Sequence, residues 1–557
     1  MRKHSRRAFG PGATPTRRSV VGASLAVAGT TVLAACSDGS GGTGGGHAGH
    51  GGGTGTQKSG GGAKPAGGFV APDGPEVQAA EARRKGGRER KVTFTAVASP
   101  LELGGGRTVR TWSYGDRLPG QEVRATAGET LALTLANNLP AATSLHWHGL
   151  ALRNDMDGVP GLTQRPIAPG AEFTYRFALA HPGTYWFHPH SGVQQERGLY
   201  APLIIEDPKE PLAYDKEWTV VLDDWVDGVD GSTPDAVLAE LRKGMTGGGH
   251  EGHGMTADQG TVKDDAVRET ESPSPSGGGP SRMMMGARSA LLGGDAGDVA
   301  YPLYLVNGRT PDDPAAFAAK PGDRIRLRIV NAGGDTAFRV ALGGHQLTVT
   351  HTDGFPVTPT TTDALLVGMG ERYDVLVTAG DGVFPLVAVA EGKRASALAL
   401  LRTGGGAAPA PSVQPRELSR RILTADRLTA HASVALARRE PDRTIEIELT
   451  GSMAKYDWAF DGVPYSPAPR HEVRAGERVR LVFRNPTAMW HPIHLHGHTF
   501  ALAGAGAGGA RKDTAVILPN GTLTVDFEAD NPGLWMIHCH NVYHAEAGMM
   551  TVLGYLK

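Results

Sequence analysis

The stretch His538-Cys539-His540-Asn541-Val542-Tyr543-His544-Ala545-Glu546-Ala547-Gly548-Met549 concentrates histidines, a cysteine and a methionine in one short segment. A thiolate, two imidazoles and a weak axial thioether are what a blue-copper electron-transfer site requires. Cys539 can supply the thiolate, His544 one imidazole and Met549 the thioether, which leaves His538 and His540 over. On a β-strand, residues two apart share a face and the residue between them points the other way. His538 and His540 would therefore face one way and Cys539 the other, so one strand would serve two metal sites back to back. A buried cysteine among core residues is the simpler alternative, but it gives no reason for a histidine on each side.

If a metal is held here, partner ligands must lie elsewhere. His-x-His pairs occur at His146/His148, His188/His190, His494/His496 and His538/His540, and His491 stands three residues before His494. The segments Leu145-His-Trp-His-Gly149, Trp186-Phe-His-Pro-His190 and His491-Pro-Ile-His-Leu-His496, with the stretch above, resemble the multicopper oxidase family of laccases, bacterial cuprous oxidases and copper-resistance oxidases. They stand complete and in that family's order, and the resemblance covers roughly residues 91 to 557.

The resemblance implies an all-β chain of three cupredoxin-like Greek-key β-sandwich domains and four copper ions. His146 and His494 would hold a lone copper. His148, His188 and His540 would hold one member of a coupled pair, and His190, His496 and His538 the other. His491, Cys539, His544 and Met549 would hold the mononuclear blue site. Electrons from a reductant, Cu(I) or a small phenolic or amine compound, would pass through Cys539 to His538 and His540, and four would reduce dioxygen to two waters. A methionine at position 549 resembles the lower-potential members. In the segment Asp155-Met-Asp-Gly-Val-Pro-Gly161, Asp157 matches a family acid near the oxygen site and is the first candidate proton donor. Several bacterial relatives place Glu directly after the histidine matching His544; here that position is Ala545, and Glu546, one further on, is the second candidate.

Such a site needs ligands from both ends of the chain, so the elements between must bring the ends together. At 557 residues the chain is long enough for about three domains, and short Val-, Leu- and Thr-rich runs punctuated by Gly, Pro, Asn and Asp read as mostly strand. Val123–Asn137, Arg326–Asn331 and Val473–Asn485 echo one another, as three copies of one fold would. The expected division is a first sandwich over 91–210, a second over about 211–405, and a third over about 416–557. The second has no His-x-His pair and is expected to be a copper-free spacer, with His345 and His351 structural. Between about 242 and 290, glycine-rich sequence with Met245, His250, His253 and Met255, followed by a Ser/Pro/Gly run and Met283-Met-Met285, cannot build a core and is expected to be largely disordered. Thioethers and imidazoles suit Cu(I).

Residues 1 to 36 read as an export signal: Arg6-Arg7 and Arg17-Arg18 precede an apolar stretch, and Leu33-Ala-Ala-Cys36 resembles a bacterial lipobox whose cysteine is lipidated. Arg17-Arg18-Ser-Val-Val resembles a twin-arginine signal without its usual Phe-Leu; a general secretory signal is the alternative. Residues 37 to 90 read as a flexible tether. The expected location is the outer face of the cytoplasmic membrane, lipid-anchored through Cys36, as a monomer. With 56 basic and 57 acidic residues, formal charge is −1, which argues against a nucleic-acid surface. Only Cys36 and Cys539 are present, so if each has its own role no intramolecular disulfide forms. Two other classes compete with the oxidase: a copper-sequestering lipoprotein and a catalytically dead scaffold. Twelve metal-ligand positions argue against the scaffold; blue absorbance with oxygen uptake would separate enzyme from store.

Overall fold

A computed structural model describes residues 68–244, 279–503 and 508–557. The export signal, the lipobox cysteine and Met245, His250, His253 and Met255 lie outside them.

The described chain is three β-sandwiches, each of two facing sheets. In the first, a sheet ordered Thr108–Tyr114, Glu89–Glu102, Thr130–Asn138, Glu172–Ala178 faces one ordered Val123–Thr126, Ala201–Glu206, Gly183–His188, His146–His148. The second and third are built likewise, with six strands in each sheet of the middle sandwich and six and five in the last. Inward positions of both sheets carry the core: Leu131, Leu133 and Leu135 alternate on one strand and pack with Trp147, Tyr175 and Phe177 of others.

The three echoed segments each end in a buried asparagine that does the same work. Asn137 Nδ2 donates to the carbonyls of Ala141 and Ile167 while its Oδ1 accepts from Leu139 N. Asn331 donates to Thr336 and Val367 and accepts from Gly333 N; Asn485 donates to Met489 and Leu518 and accepts from Thr487 N. In each copy one side chain satisfies three backbone groups where the chain leaves a central strand, groups that would otherwise be buried unpaired.

Three expected boundaries are corrected by pairing that sequence periodicity does not reveal. The tether expected to run to residue 90 is fixed from residue 68. Phe69 bridges Leu556, Val70 N donates to Tyr555 O, and helix α1 (Pro75–Arg84) buries Val77 and Ala80. From α1, Glu81 accepts from Ala178 N in the first sandwich and Arg84 donates to Asn531 in the third. Helix α2 (Pro234–Leu241) buries Val237, Leu238 and Leu241 just ahead of the segment expected to be disordered, and at that segment's far edge Met283 bridges Val299. Third, Ile422–Leu423 pairs in parallel with Ala364–Val367 of the middle sandwich, so the third sandwich's own strands begin at Arg443–Thr450 rather than near 416.

Candidate metal centre

The strand His146–His148 pairs antiparallel with Gly183–His188, setting His146 opposite His188. Alternation sends Trp147 into the core against Phe177 and Phe187 and leaves both histidines on the other face. Pro189, which has no N–H for the ladder, follows the strand's last residue. In the third sandwich, His491–Leu495 pairs with Leu534–Cys539, placing His494 opposite His538 and Ile493 opposite Cys539. The two halves meet ring to ring. His146 stacks on His496 and His148 on His494, each pair with centroids 3.8 Å apart. Asn154 fastens the same junction by accepting from Leu534 N and donating to Leu534 O.

Each of the eight imidazoles of the four pairs has a ring nitrogen without a protein partner: Nδ1 of His148, both nitrogens of His540 and Nε2 of the other six. A buried imidazole nitrogen without a hydrogen bond is costly, and eight converging on one space fit metal ions. Ligand atoms of His190, His496 and His538 lie within 4.8 Å of one another, as do those of His146, His148 and His188 and of His146, His494 and His496. The His540 ring sits 4.9 Å from that of His148 and 5.3 Å from that of His188. Burial, reinforced by neighbouring imidazoles, holds His148, His188, His190, His496, His538 and His540 well below the ordinary imidazole range. They are therefore neutral, the form that binds metal.

On the opposite face of the Leu534–Cys539 strand, the Cys539 sulfur lies 3.7 Å from Nδ1 of both His491 and His544, and those nitrogens are 3.1 Å apart. This triangle of three ligand atoms is a blue-copper donor set. Met549 is fully buried beside it; its carbonyl accepts from Cys539 N and its N–H donates to His544 O. Gly548, at φ +131°, makes the turn from helix α3 (Val542–Ala547) that brings Met549 there, and a Cβ on it would press on the Trp458 carbonyl at 3.1 Å.

The outer contacts fix these rings. Asp157 Oδ2 lies 2.9 Å from Nδ1 of His496, and its carbonyl 2.8 Å from Nδ1 of His146. Gly158, at φ +83°, permits this approach, since a Cβ there would fall 1.9 Å from the Leu145 carbonyl. Of the two expected acids, Asp157 thus touches two cluster ligands. Glu546 does not join them among the described bonds: its carbonyl accepts from Arg242 and burial raises its carboxyl.

Four supporting groups were missed from sequence. Asp513 Oδ1 lies 3.0 Å from His148 Nε2 while its carbonyl receives His494 Nδ1, and Arg372 binds its carboxylate through two 2.7 Å bonds. Burial opposes its charge, but Arg372 and the histidines outweigh burial and hold it well below the carboxylate range. Asp298 Oδ2 accepts from His544 Nε2 at 2.9 Å and from Tyr456. Burial alone would lower His544; Asp298 reverses that, and the imidazole is raised to about 10, so metal binding at Nδ1 would displace a proton. Thr487 Oγ1 lies 3.1 Å from His491 Nε2. Glu196, fully buried and held neutral chiefly by burial, accepts from Tyr301 and Tyr543. Thr487 alone lies close in sequence to the ring it touches, four residues before His491; Asp513, Asp298 and Glu196 reach theirs across long sequence distances. A cleft of about 510 Å³ between Trp112, Pro160 and Arg197 reaches His190 from solvent.

Family models described as multicopper oxidase match residues 96–210, 264–406 and 438–555. The multicopper oxidase MmcO of Mycobacterium tuberculosis is 49% identical over 482 residues, which cover 86% of this chain and 90% of that protein. The chain belongs to the multicopper oxidase family. This multicopper oxidase is also 31% identical to a copper resistance protein A homolog of Pseudomonas syringae pv. tomato, over 80% of this chain and 89% of the relative. The laccase from Botrytis aclada superposes with a TM-score of 0.66 at 25% identity, over 84% of this chain and 88% of that one. Membership brings an oxidoreductase that couples four one-electron oxidations to reduction of dioxygen to water, with four copper ions at a mononuclear blue site and a trinuclear cluster.

Proposed function

We propose that this multicopper oxidase takes its electrons from Cu(I) in preference to bulky phenols, and serves copper homeostasis outside the cytoplasm. One observation carries this reading. The methionine triplet runs beside the blue site's carboxylate support: Met284 N donates to Asp298 O at 2.7 Å and Met283 bridges Val299, while Asp298 Oδ2 touches His544. Asp298 Oδ1 is buried without a partner, and Met285 is 61% exposed. Thioethers prefer the cuprous ion, so a segment that carries three of them is bonded through its backbone to the residue whose carboxylate holds the His544 ring. The name of the Pseudomonas relative, a copper resistance protein, agrees with that role.

The ligand division implied by the family applies here: His146 and His494 for the lone copper, His148, His188 and His540 with His190, His496 and His538 for the pair, and His491, Cys539, His544 and Met549 for the blue site. When bound, copper supplies one-electron chemistry at the thiolate and dioxygen reduction at the cluster. The chain's residues do the rest. Buried imidazoles hold the metals, Asp157 holds the His496 and His146 rings through their Nδ1 atoms, and Cys539 joins the two sites through its own backbone. Glu546, whose carbonyl accepts from Arg242, is the second candidate for proton supply. Export, a lipid anchor on Cys36 and a monomeric state complete the reading; mass analysis showing an unmodified Cys36 would remove the anchor. No helix among the described residues is long and apolar enough to cross a membrane.

The test compares kcat/KM for Cu(I) and for a bulky phenol in the parent, in a variant with residues 245–278 replaced by a short Gly/Ser linker, and in Met283→Leu/Met284→Leu/Met285→Leu. Cu(I) oxidation should fall at least several-fold in both variants while phenol oxidation holds or rises. Unchanged Cu(I) rates in both would show the methionines idle and favour a laccase-type enzyme acting on phenols.

A further inference from the structure

None of the ligand positions assigned above falls among the described residues of the middle sandwich, yet the blue site's ligand loop is bonded to it more heavily than a spacer requires. We propose that a buried Lys393–Asp335–Asn541 chain makes the middle sandwich the positioning element for the loop His540–His544, and so sets the geometry of the thiolate copper. The inference rests on the blue-site assignment above.

Asn541 lies between the last cluster histidine and His544. Its Oδ1 caps α3, accepting from Tyr543 N at 3.0 Å and His544 N at 3.2 Å. Its Nδ2 donates to Asp335 Oδ1 at 2.6 Å. The other Asp335 oxygen takes a 2.6 Å bond from Lys393 Nζ, which also donates to Thr336 Oγ1 and the Asp335 carbonyl. The Lys393 and Asp335 side chains are wholly buried. A second bond runs alongside, Val542 N to Gly334 O, and Gly334 and Asp335 are themselves held by Asp224.

The same carboxylate also reaches His544 from its other end. Asp335 accepts the backbone N–H of Asp298, whose side chain receives His544 Nε2. One middle-sandwich aspartate thus anchors both the backbone of His544, through Asn541, and its ring, through Asp298. A cap alone needs only an acceptor, which serine supplies as well as asparagine. The donor half of Asn541, the buried cation and the shared carboxylate are surplus to capping. They are what an outer shell that fixes ligand orientation would use.

The test is Asn541→Ser in the copper-loaded full chain. Serine keeps the cap acceptor and is too short to donate to Asp335. Copper content and the reaction of fully reduced protein with dioxygen should match the parent. The blue absorption band and the copper hyperfine splitting by electron paramagnetic resonance should change. Electron delivery from the thiolate site to the cluster in a single turnover should slow about tenfold, the lower end of what outer-shell partners contribute. Lys393→Met, cutting the chain at its far end, should move the same spectra in the same direction; because it leaves a buried carboxylate unpaired, its folding is checked first, and Asn541→Ser decides if it fails. A parent-like spectrum and transfer rate in Asn541→Ser, with only melting temperature lowered, would overturn the proposal and leave a structural contact. Loss of blue colour on Cys539→Ser tests the underlying assignment separately.

Discussion

Asp157→Asn separates a proton donor from a structural acid, because the substitution preserves nearly all of the geometry. The backbone carbonyl of Asp157 already serves His146 at 2.8 Å, and that bond is untouched. The amide oxygen of asparagine can still receive His496 Nδ1–H, now at 2.9 Å to a neutral acceptor instead of a charged one. Exchanging a charge-assisted hydrogen bond for a neutral one costs about 1–1.5 kcal/mol, roughly tenfold in affinity at one ligand. The copper that His496 shares with His190 and His538 should absorb that, so four coppers should remain bound. An amide cannot take up and pass on a proton, and a positioned acid–base group contributes about 10²–10⁴-fold, or ~2.7–5.5 kcal/mol of barrier. The assay is stopped-flow reoxidation of anaerobically reduced protein across pH, with metal analysis of the same sample. Full copper, a parent-like rate of blue-site reduction and an oxygen step slowed by that range are expected. An oxygen step and pH profile equal to the parent's would refute the role and leave Asp157 as a ring clamp.

Cys539→Ser should abolish the blue colour and oxidase turnover while leaving the fold intact by circular dichroism, since a hydroxyl cannot replace the thiolate bond; a variant keeping both would sink the blue-site assignment. Without copper, the protein should be acid-sensitive. The folded state holds imidazoles such as His148 and His188 below their ordinary pKa, so below about pH 6.5 the unfolded chain binds more protons, and each such group removes up to ~1.4 kcal/mol per pH unit as pH falls. Melting temperature of the metal-free chain should drop steeply from pH 6.5 to 5, and a flat profile would contradict the burial. Arg372→Met should cost about 3–5 kcal/mol by leaving the buried Asp513 carboxylate unpaired, read as a lowered melting temperature; an unchanged value would mean that Asp513 does not depend on this partner.

What could be read in the sequence is what local chemistry dictates. Histidines two apart flanking a cysteine have few uses other than metal binding, and strand alternation alone sends His538 and Cys539 to opposite faces. The repeated Asn137, Asn331 and Asn485 could be aligned because each follows the same apolar alternation. What could not be read depends on partners distant in sequence. Asp298 meets His544 across 246 positions and Asp513 meets His148 across 365, and an isolated aspartate carries no sign of its partner. The anchoring of residues 68–84 failed to show for the same reason: the backbone of Phe69 and Val70 pairs with Leu556 and Tyr555 at the far end of the chain. Composition marked the segment from 242 to 290 as unable to build a core, but it could not show that its edges lean on one built elsewhere, as Met283 does.

The most direct test of the central claim is stoichiometry. Copper-loaded protein is given Cu(I) under limiting dioxygen, with oxygen uptake, Cu(I) consumed and peroxide followed together. Eight inward-facing imidazoles and a linked thiolate predict four Cu(I) oxidised per dioxygen and no peroxide released. Two Cu(I) per dioxygen with peroxide appearing, or copper bound without oxygen uptake, would contradict a four-electron oxidase at this site.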